Sequence, residues 1–156
     1  MSTVKTWQTR STSSEDTEAL GERVGARLKG GEVIELVSDL GGGKTTFVRG
    51  LVRGAGSTDR VASPTFTISR EYAAPKFTIV HFDFYRLAEA GVIAEELKEF
   101  MGDPNYVVVI EWGDIVADVL PADHVRIQIQ YKTDTERLIQ STYPPKLAYA
   151  IEPENA

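Results

Sequence analysis

Residues 33–46 have the sequence VIELVSDLGGGKTT. An apolar run typical of a buried strand leads into a glycine-rich turn, and Lys44-Thr45 follows where a helix is predicted to begin. The apolar stripe of that helix consists of Phe47, Val48, Leu51 and Val52, and Gly54 and Gly56 mark its end. This order of strand, glycine turn and Lys-Thr helix start predicts a phosphate-binding P-loop.

The P-loop pattern G-x-x-x-x-G-K-[ST] is met at every fixed position but the first, where Ser38 replaces glycine. The glycines 41–43 would let backbone N–H groups converge on a polyphosphate. Lys44 would reach the outer phosphates, and the hydroxyl of Thr45 would ligate Mg²⁺. A glycine-rich loop with only a structural role would not need Lys-Thr at this place, so we expect a nucleotide-binding protein.

The composition narrows the class of protein. The 156 residues are 42% hydrophobic and 26% charged, which predicts an ordinary water-soluble globular protein with a single domain over 1–156. The absence of cysteine excludes disulfides and thiolate metal sites and fits a reducing cytoplasm. No membrane span or signal peptide is predicted. The net charge of −6 disfavours a large nucleic-acid contact, so we expect a cytoplasmic protein that would serve nucleic-acid chemistry through a partner or a local patch.

The remaining chain alternates predicted strands and helices, with no internal repeat or linker. Besides the P-loop helix, we predict a helix after a T-x-x-E capping box at Thr12 to Glu15 and another over 88–101. The tail after about 144 is weakly patterned, and we expect it to be weakly ordered. Predicted strands are 4–7, 32–37, 61–68, 71–72, 77–84 and 106–110, with 125–131 and 137–142 as a late hairpin. These elements predict a three-layer domain of the P-loop NTPase type, with a mixed central sheet and an antiparallel C-terminal hairpin.

Two carboxylates follow predicted strands, as a P-loop enzyme requires for its Mg²⁺ water shell or for orienting the attacking water. Glu111 comes after an apolar run that starts at Val107, and Asp83 ends the strand that contains His81. A carboxylate at the end of a strand is often only a turn or cap residue. Because a P-loop is present in the same chain, we predict catalytic roles for Lys44, Asp83 and Glu111.

Downstream of the P-loop, Ser63-Pro64-Thr65 could form a switch segment whose hydroxyl groups at Ser63 and Thr65 sense the γ-phosphate. The alternative is a proline turn that opens a strand, with Thr65 bonded to its local backbone. Both interpretations remain open from the residues alone.

Four other features favour plain structural roles. We expect His81 to be a packed core histidine and His124 to be exposed, while Arg86 is more typical of a surface ion pair than of an arginine finger. Trp112 is expected to pack beside the site. The segment 131–134, YKTD, resembles the guanine-reading [NT]-K-x-D motif, but its first residue does not fit and a hairpin turn explains it equally well.

Taken together, the motifs resemble those of the bacterial TsaE family, formerly YjeE, of small P-loop ATPases in tRNA threonylcarbamoyladenosine biosynthesis. The family pattern includes an S/T-x-x-x-x-T-x-x-L-G entry helix, found here around Ser13 to Gly21, and ends at L-P. This chain departs from it with Ser38 for glycine and Gly42 for alanine. Since glycine reaches the required backbone shape more freely than Ser38, we expect a lower phosphate affinity than is usual for the family. The other matching motifs are GDLGAGKTTF at 38–47, SPTF at 63–66, HFDxYRL at 81–87 and IEW at 110–112.

The resemblance implies ATP and Mg²⁺ as ligands and two partner proteins, TsaD, the transferase, and its paralogue TsaB. ATP hydrolysis would reset their complex between turnovers, and tRNA would be reached indirectly through that complex. By the same resemblance Thr45 and Glu111 are Mg²⁺ ligands, and Asp83 is a second essential carboxylate. The implied nucleotide-binding residues are Ser11, Ser13, Asp39, Leu40, Gly41, Gly42, Gly43, Lys44, Thr45, Thr46 and Arg137.

The leading hypothesis is therefore a Mg²⁺-dependent ATPase, slow alone and regulated by partner docking. Lys44 would stabilise charge on the transferred phosphoryl group, and either Glu111 or Asp83 would orient the water. The alternative is a small-molecule P-loop kinase, although Arg70 and Arg86 would make a poor lid. A third hypothesis is a nucleotide-dependent binding module whose hydrolysis is incidental.

Overall fold

A computed structural model describes residues 4–38, 43–61, 69–84 and 91–153. Its seven strands form one mixed sheet in the order β1-β7-β6-β2-β5-β4-β3, so the predicted α/β class is confirmed. The helices are α1 (Ser14–Arg27), α2 (Lys44–Gly54), α3 (Gly91–Phe100) and α4 (Ala148–Ile151). The strands are β1 (Lys5–Ser11), β2 (Val33–Ser38), β3 (Ser69–Ala73), β4 (Thr78–Asp83), β5 (Tyr106–Glu111), β6 (Val125–Tyr131) and β7 (Arg137–Tyr143).

The four central strands β6, β2, β5 and β4 run parallel to one another. Their register places Leu36 beside Glu111 and Asp83 on the other side of Glu111. The hairpin of β6 and β7 is antiparallel, as predicted, and β1 and β3 close the two sheet edges in antiparallel pairs. Because parallel strands end at the same edge, the P-loop helix and both predicted carboxylates meet there.

Helices cover both faces of the sheet. On one face α1, α2 and α4 bury the alternate strand residues that include Ile34 and Val109. On the other face α3 and the 3₁₀ helix Gly113–Val119 cover the set that includes Val33 and Ile110. Alternation along each strand supplies both layers, because successive side chains point to opposite faces. The predicted three-layer arrangement is therefore present.

Four glycines let α1 and α2 approach each other closely. A Cβ atom added at Gly25 would lie 2.0 Å from the Leu51 carbonyl oxygen, and one at Gly50 would lie 1.9 Å from the Glu18 carbonyl oxygen. Gly21 and Gly54 meet the opposing backbone in the same way. Two G-x-x-x-G spacings, one on each helix, therefore fix how the P-loop helix lies against its neighbour.

Several predicted boundaries need correction. The capping residue of α1 is Ser13, whose hydroxyl accepts from Asp16 N at 3.0 Å, so the box is displaced by one residue from the predicted Thr12 to Glu15. In return Asp16 accepts from Thr12 N and from its hydroxyl, which lowers the pKa of Asp16. The strand predicted over 61–68 and the start of the helix predicted from 88 lie outside the described residues.

The tail is better ordered than expected. After 144 the chain forms a 3₁₀ turn, Pro145–Leu147, and then α4. Ala150 and Ile151 are buried in the core with α1, and the Arg27 guanidinium donates to the Glu152 carbonyl oxygen. The expectation of a weakly ordered tail is wrong for residues 145–151. The segment is too short to show a clear hydrophobic period in the sequence, but two of its apolar side chains still pack in the core. Within the four described ranges, no helix combines the length and apolarity that crossing a bilayer requires.

Candidate nucleotide site

Lys44 is the first residue of α2, the helix that follows β2 in the chain. Gly43 caps the helix with a φ of 109°, a left-handed conformation that glycine adopts without strain. The Lys44 ammonium lies 3.4 Å from the Ser38 carbonyl oxygen and 3.9 Å from Glu111 Oε1. It also lies over the Trp112 ring, 4.9 Å from the ring centre. The side chain is thus held at the carboxyl ends of β2 and β5, as the P-loop prediction requires.

Glu111 is a buried carboxylate with few partners. It ends β5 and is only 3% exposed. Its Oε2 accepts a hydrogen bond of 2.7 Å from His81 Nε2, while the contact of Oε1 with Lys44 is too long for a hydrogen bond. An ionised carboxylate has about four acceptor positions, and those of Glu111 are mostly unused among the described residues. A buried anion in this state is suited to bind a cation.

Asp83 and Trp112 flank Glu111. Asp83 pairs with Glu111 across the β4–β5 ladder, so the two carboxylates that were predicted separately end neighbouring strands in register. Trp112 is the one non-glycine residue in the described part of the chain with a positive φ, at 59°. Bulky residues rarely adopt that conformation, and such outliers gather at functional sites. Trp112 packs beside the site, as expected.

A cavity of about 320 Å³ lies on the other side of the α2 start. It is bounded by the first turns of α1 and α2 and by the turn that joins β6 to β7. Four residues predicted from the sequence to bind nucleotide line it, namely Ser13, Gly43, Thr46 and Arg137. The structure therefore brings residues from three distant parts of the chain around one opening beside the P-loop helix.

Arg137 is held in place at the hairpin turn. Its Nη1 donates to the Thr133 carbonyl oxygen at 2.6 Å and to the Glu136 carbonyl oxygen at 3.0 Å, and its guanidinium lies 4.8 Å from the Tyr131 ring centre. The Tyr131 hydroxyl donates to Asp134 at 2.5 Å, a bond that raises the pKa of Tyr131. The segment resembling a guanine-reading motif is thus a hairpin turn whose tyrosine and aspartate bond to each other.

Ser11 does not line the cavity. Its side chain is buried, with the hydroxyl 2.7 Å from Thr17 Oγ1 and donating to the Ser13 carbonyl oxygen at 2.8 Å. These contacts hold the end of β1 against the start of α1, which places Ser13 and Thr17 at the cavity wall. Thr45 is the second residue of α2. The remaining predicted site residues lie outside the described part of the chain, namely Asp39, Leu40, Gly41, Gly42, Ser63 and Thr65, as does Arg86, for which a surface ion pair was expected.

Two histidines differ from their expected roles. His81 is buried, as predicted, but its ring contacts the site carboxylate instead of packing only among apolar groups. Its position two residues before Asp83 on one face of β4 was the available signal. His124 was expected to be exposed, whereas it is half-buried, with Nε2 3.5 Å from Glu35 Oε1 and Nδ1 2.7 Å from the Pro121 carbonyl oxygen. Its partner Glu35 lies in the middle of β2, and no sequence pattern predicts which residue such a glutamate will contact.

Comparisons with known proteins agree with this geometry. A family model described as "Threonylcarbamoyl adenosine biosynthesis protein TsaE" matches residues 11–139. The Bacillus subtilis protein named tRNA threonylcarbamoyladenosine biosynthesis protein TsaE is 36% identical, over 85% of this chain and 83% of the relative. The protein of the same name from Treponema pallidum is 39% identical, over 83% of this chain and 95% of the relative.

A solved structure supports the same assignment. The crystal structure of Bacillus subtilis YdiB superposes with a TM-score of 0.76 at 32% identity, covering 94% of this chain and 90% of that one. The matched region includes β2, the P-loop helix and both strands that end in carboxylates. The resemblance inferred from the motifs is confirmed, and the chain belongs to the TsaE family.

Proposed function

We propose that this chain hydrolyses ATP in a Mg²⁺-dependent reaction that serves tRNA threonylcarbamoyladenosine biosynthesis. The observation that supports this most strongly is the meeting of Lys44 and Glu111, 3.9 Å apart, at the start of the P-loop helix. The names of the relatives supply the pathway. ATP would lie with its phosphates at Lys44 and extend its sugar and base toward the cavity beside Gly43 and Arg137.

Lys44 is placed to stabilise negative charge on the transferred phosphoryl group. Its ammonium lies near the Ser38 carbonyl oxygen and the Glu111 carboxylate. Phosphate oxygens could replace these contacts without moving the backbone. The N–H groups of the first turn of α2 have no partner within the helix, and with the helix dipole they would add to the attraction for anions. The chain thus supplies binding and charge stabilisation at the same point.

The residues fit a Mg²⁺ ion. Glu111 offers Oε1, which has no hydrogen bond among the described residues, and Thr45 offers a hydroxyl in the first turn of α2. Mg²⁺ takes oxygen ligands and in nucleotide sites is held by one or two protein groups together with phosphates and water. Such an ion would neutralise charge on the phosphates. Glu111 and Thr45 would hold it, and the Lys44 ammonium would add positive charge beside the phosphates.

Either Glu111 or Asp83 could orient the attacking water. Both end neighbouring parallel strands and pair in register, so each is within reach of the same volume. Their roles are separable, because a carboxylate that binds the ion affects metal affinity, and one that only orients water affects turnover alone. An Asp83→Asn variant with normal Mn²⁺ affinity but lost hydrolysis would assign the water to Asp83.

Lys44→Ala tests the proposed activity. We expect phosphate release from ATP to fall by about 100-fold or more, since a group that stabilises transition-state charge is removed. The urea unfolding midpoint should stay near that of the unaltered chain, because the contacts of the ammonium with the Ser38 carbonyl oxygen and with Glu111 are long, at 3.4 Å and 3.9 Å. Lys98→Ala is the matched control, since Lys98 lies exposed on α3 and, among the described residues, bonds to Glu95 alone. Wild-type hydrolysis in the Lys44 variant would contradict the assignment.

We further propose that the ATPase acts by docking on a TsaB–TsaD complex, as implied by membership of the family. Phosphate release should rise when a purified TsaB–TsaD pair is added, and tRNA should need that pair to affect the rate. Phosphate that instead appears on an added small acceptor would favour the kinase alternative. A rate unchanged by the pair, with nucleotide-dependent binding to it, would favour a binding module.

A further inference from the structure

His81 is joined to the proposed metal ligand by one short hydrogen bond. On β4 it lies two residues before Asp83, on the face from which Asp83 and Glu111 also project. Its Nε2 lies 2.7 Å from Glu111 Oε2, and the two side chains are 1% and 3% exposed. Such a bond in a dry environment is stronger than the same bond at the surface.

The bond also fixes which ring nitrogen carries the proton. An ionised carboxylate only accepts, so Nε2 must donate. His81 Nδ1 is buried and has no hydrogen-bond partner among the described residues. Buried polar atoms in folded proteins are nearly always paired. A buried histidine with a purely structural role would be more stable with a hydrogen-bond partner at each ring nitrogen. Among the described residues, Glu111 therefore supplies the one hydrogen bond that orients the ring.

The same bond decides how the carboxylate presents its two oxygens. Oε2 is used by His81, and Oε1 lies on the side of Lys44, 3.9 Å from the ammonium. Without the imidazole donor the carboxylate could rotate about its terminal bond, since that torsion is broad. One oxygen is thus held back in the core, and the other is directed toward the P-loop.

We propose that His81 is the positioning residue of the metal site: its Nε2–H group holds Glu111 so that Oε1 faces the P-loop and the Mg²⁺ ion. This inference rests on the proposed function, and it assigns His81 no contact with ATP. Hydrogen-bond partners of metal ligands commonly contribute a factor of about 10 to 100 in metal affinity. The expected signature of His81 is therefore a change in metal affinity with nucleotide affinity preserved.

Side-chain reach provides the test. In His81→Gln the amide nitrogen occupies nearly the place of Nε2 and can still donate to Glu111. In His81→Asn the same amide group stops near the place of Nδ1 and falls short, so Asn is the matched control, and His81→Leu removes the donor. Mn²⁺ serves as the probe because it accepts the same oxygen ligands as Mg²⁺. Its affinity for each protein with ADP bound is measured by electron paramagnetic resonance of free Mn²⁺.

We expect Mn²⁺ affinity to fall about 10-fold or more in the Asn and Leu variants and to stay within about 3-fold in the Gln variant. Binding of a fluorescent ADP analogue in EDTA should be unchanged in all three. The inference is overturned if His81→Gln loses as much Mn²⁺ affinity as His81→Asn, or if His81→Asn keeps the wild-type Mn²⁺ affinity. If the Leu variant does not fold, as judged by thermal unfolding, the comparison of Gln with Asn decides alone.

Two further variants separate a failure of this inference from a failure of the proposed function. Glu111→Gln should itself weaken Mn²⁺ binding, and Lys44→Ala should weaken ADP binding in EDTA. If either keeps wild-type binding, the metal or nucleotide assignment fails, and the role of His81 fails with it. If both lose binding while His81→Asn does not, only the positioning role is wrong.

Discussion

Two buried glutamates at opposite ends of the parallel strands differ in how completely they are paired. Glu32, 4% exposed, precedes β2 and accepts from Lys29 N at 2.8 Å, Gly30 N at 2.7 Å and the Tyr149 hydroxyl at 2.5 Å. Glu111, 3% exposed, ends β5 and accepts one hydrogen bond within the described part of the chain, from His81. Burial is the same at both ends, but the number of hydrogen bonds is not.

The difference separates a structural carboxylate from one available to a ligand. At Glu32 backbone N–H groups of the α1–β2 turn and a hydroxyl of the C-terminal helix use both oxygens, so the charge ties two segments together. At Glu111 most acceptor positions have no hydrogen-bond partner among the described residues. Leaving a buried anion so poorly paired costs stability, and we infer that the cost is retained because the site binds a cation.

The same substitution at both ends tests this contrast, and the largest expected effect is at Glu111. Glu111→Gln should reduce ATP hydrolysis by about 100-fold or more, because the oxygen charge that holds the ion is removed. The amide oxygen of the new glutamine can still accept the hydrogen bond from His81, and the substitution removes a buried negative charge that has few partners among the described residues. The free energy of unfolding in urea should therefore change by less than about 1 kcal/mol. Retained hydrolysis, or a large loss of stability, would mean that Glu111 is structural.

Glu32→Gln should give the opposite result. The new amide group donates where an oxygen accepted, so it opposes a backbone N–H group of Lys29 or Gly30. We expect the free energy of unfolding to fall by about 2 to 3 kcal/mol, measured by urea denaturation. Hydrolysis per folded molecule should stay near wild type, because the change lies at the sheet end opposite the P-loop. A loss of hydrolysis without a loss of stability would contradict the structural role assigned to Glu32.

Glu35 is an intermediate case, and its effect should be the smallest. A hydrogen bond from His124 lowers the pKa of Glu35, with Arg126 nearby, and the same bond with Glu35 raises the pKa of His124 from 6.5. A raised histidine pKa stabilises the fold fully below the unfolded value, and that contribution is lost as pH rises through the folded value. Conversely, the contribution of Glu35 is lost as pH falls through its own lowered pKa.

The unfolding free energy of the wild type, relative to His124→Gln, should therefore decrease between pH 6 and 8. We expect the decrease to be below about 1 kcal/mol, because the pair is only half-buried. Urea denaturation at several pH values measures it, with hydrolysis at pH 7 as a check that the site is untouched. A difference that grows with rising pH would show that the pair does not form.

Much of the fold followed from local patterns. The P-loop helix begins at Lys44, and β5 and β6 begin where their apolar periods predicted, because glycine turns and alternating side chains act over a few residues. The capping box was misplaced by one residue, since Ser13 and Thr12 both fit an N-cap by residue type and the structure has Ser13 in that position. The sequence did not predict that α4 is an ordered helix, because its burial depends on packing against α1 rather than on a local pattern of its own.

The sequence by itself determined the candidate site residues: a glycine turn with Lys44-Thr45, and carboxylates at Asp83 and Glu111 behind apolar strands. These signals are local, and they identified the family before any coordinates. Only the tertiary structure decided which buried side chains are satisfied and which are not. The bond of His81 to Glu111, the pairing of Glu32 and the cavity beside Arg137 join residues far apart in the chain. Their contacts depend on strand register and helix packing, which no local pattern encodes.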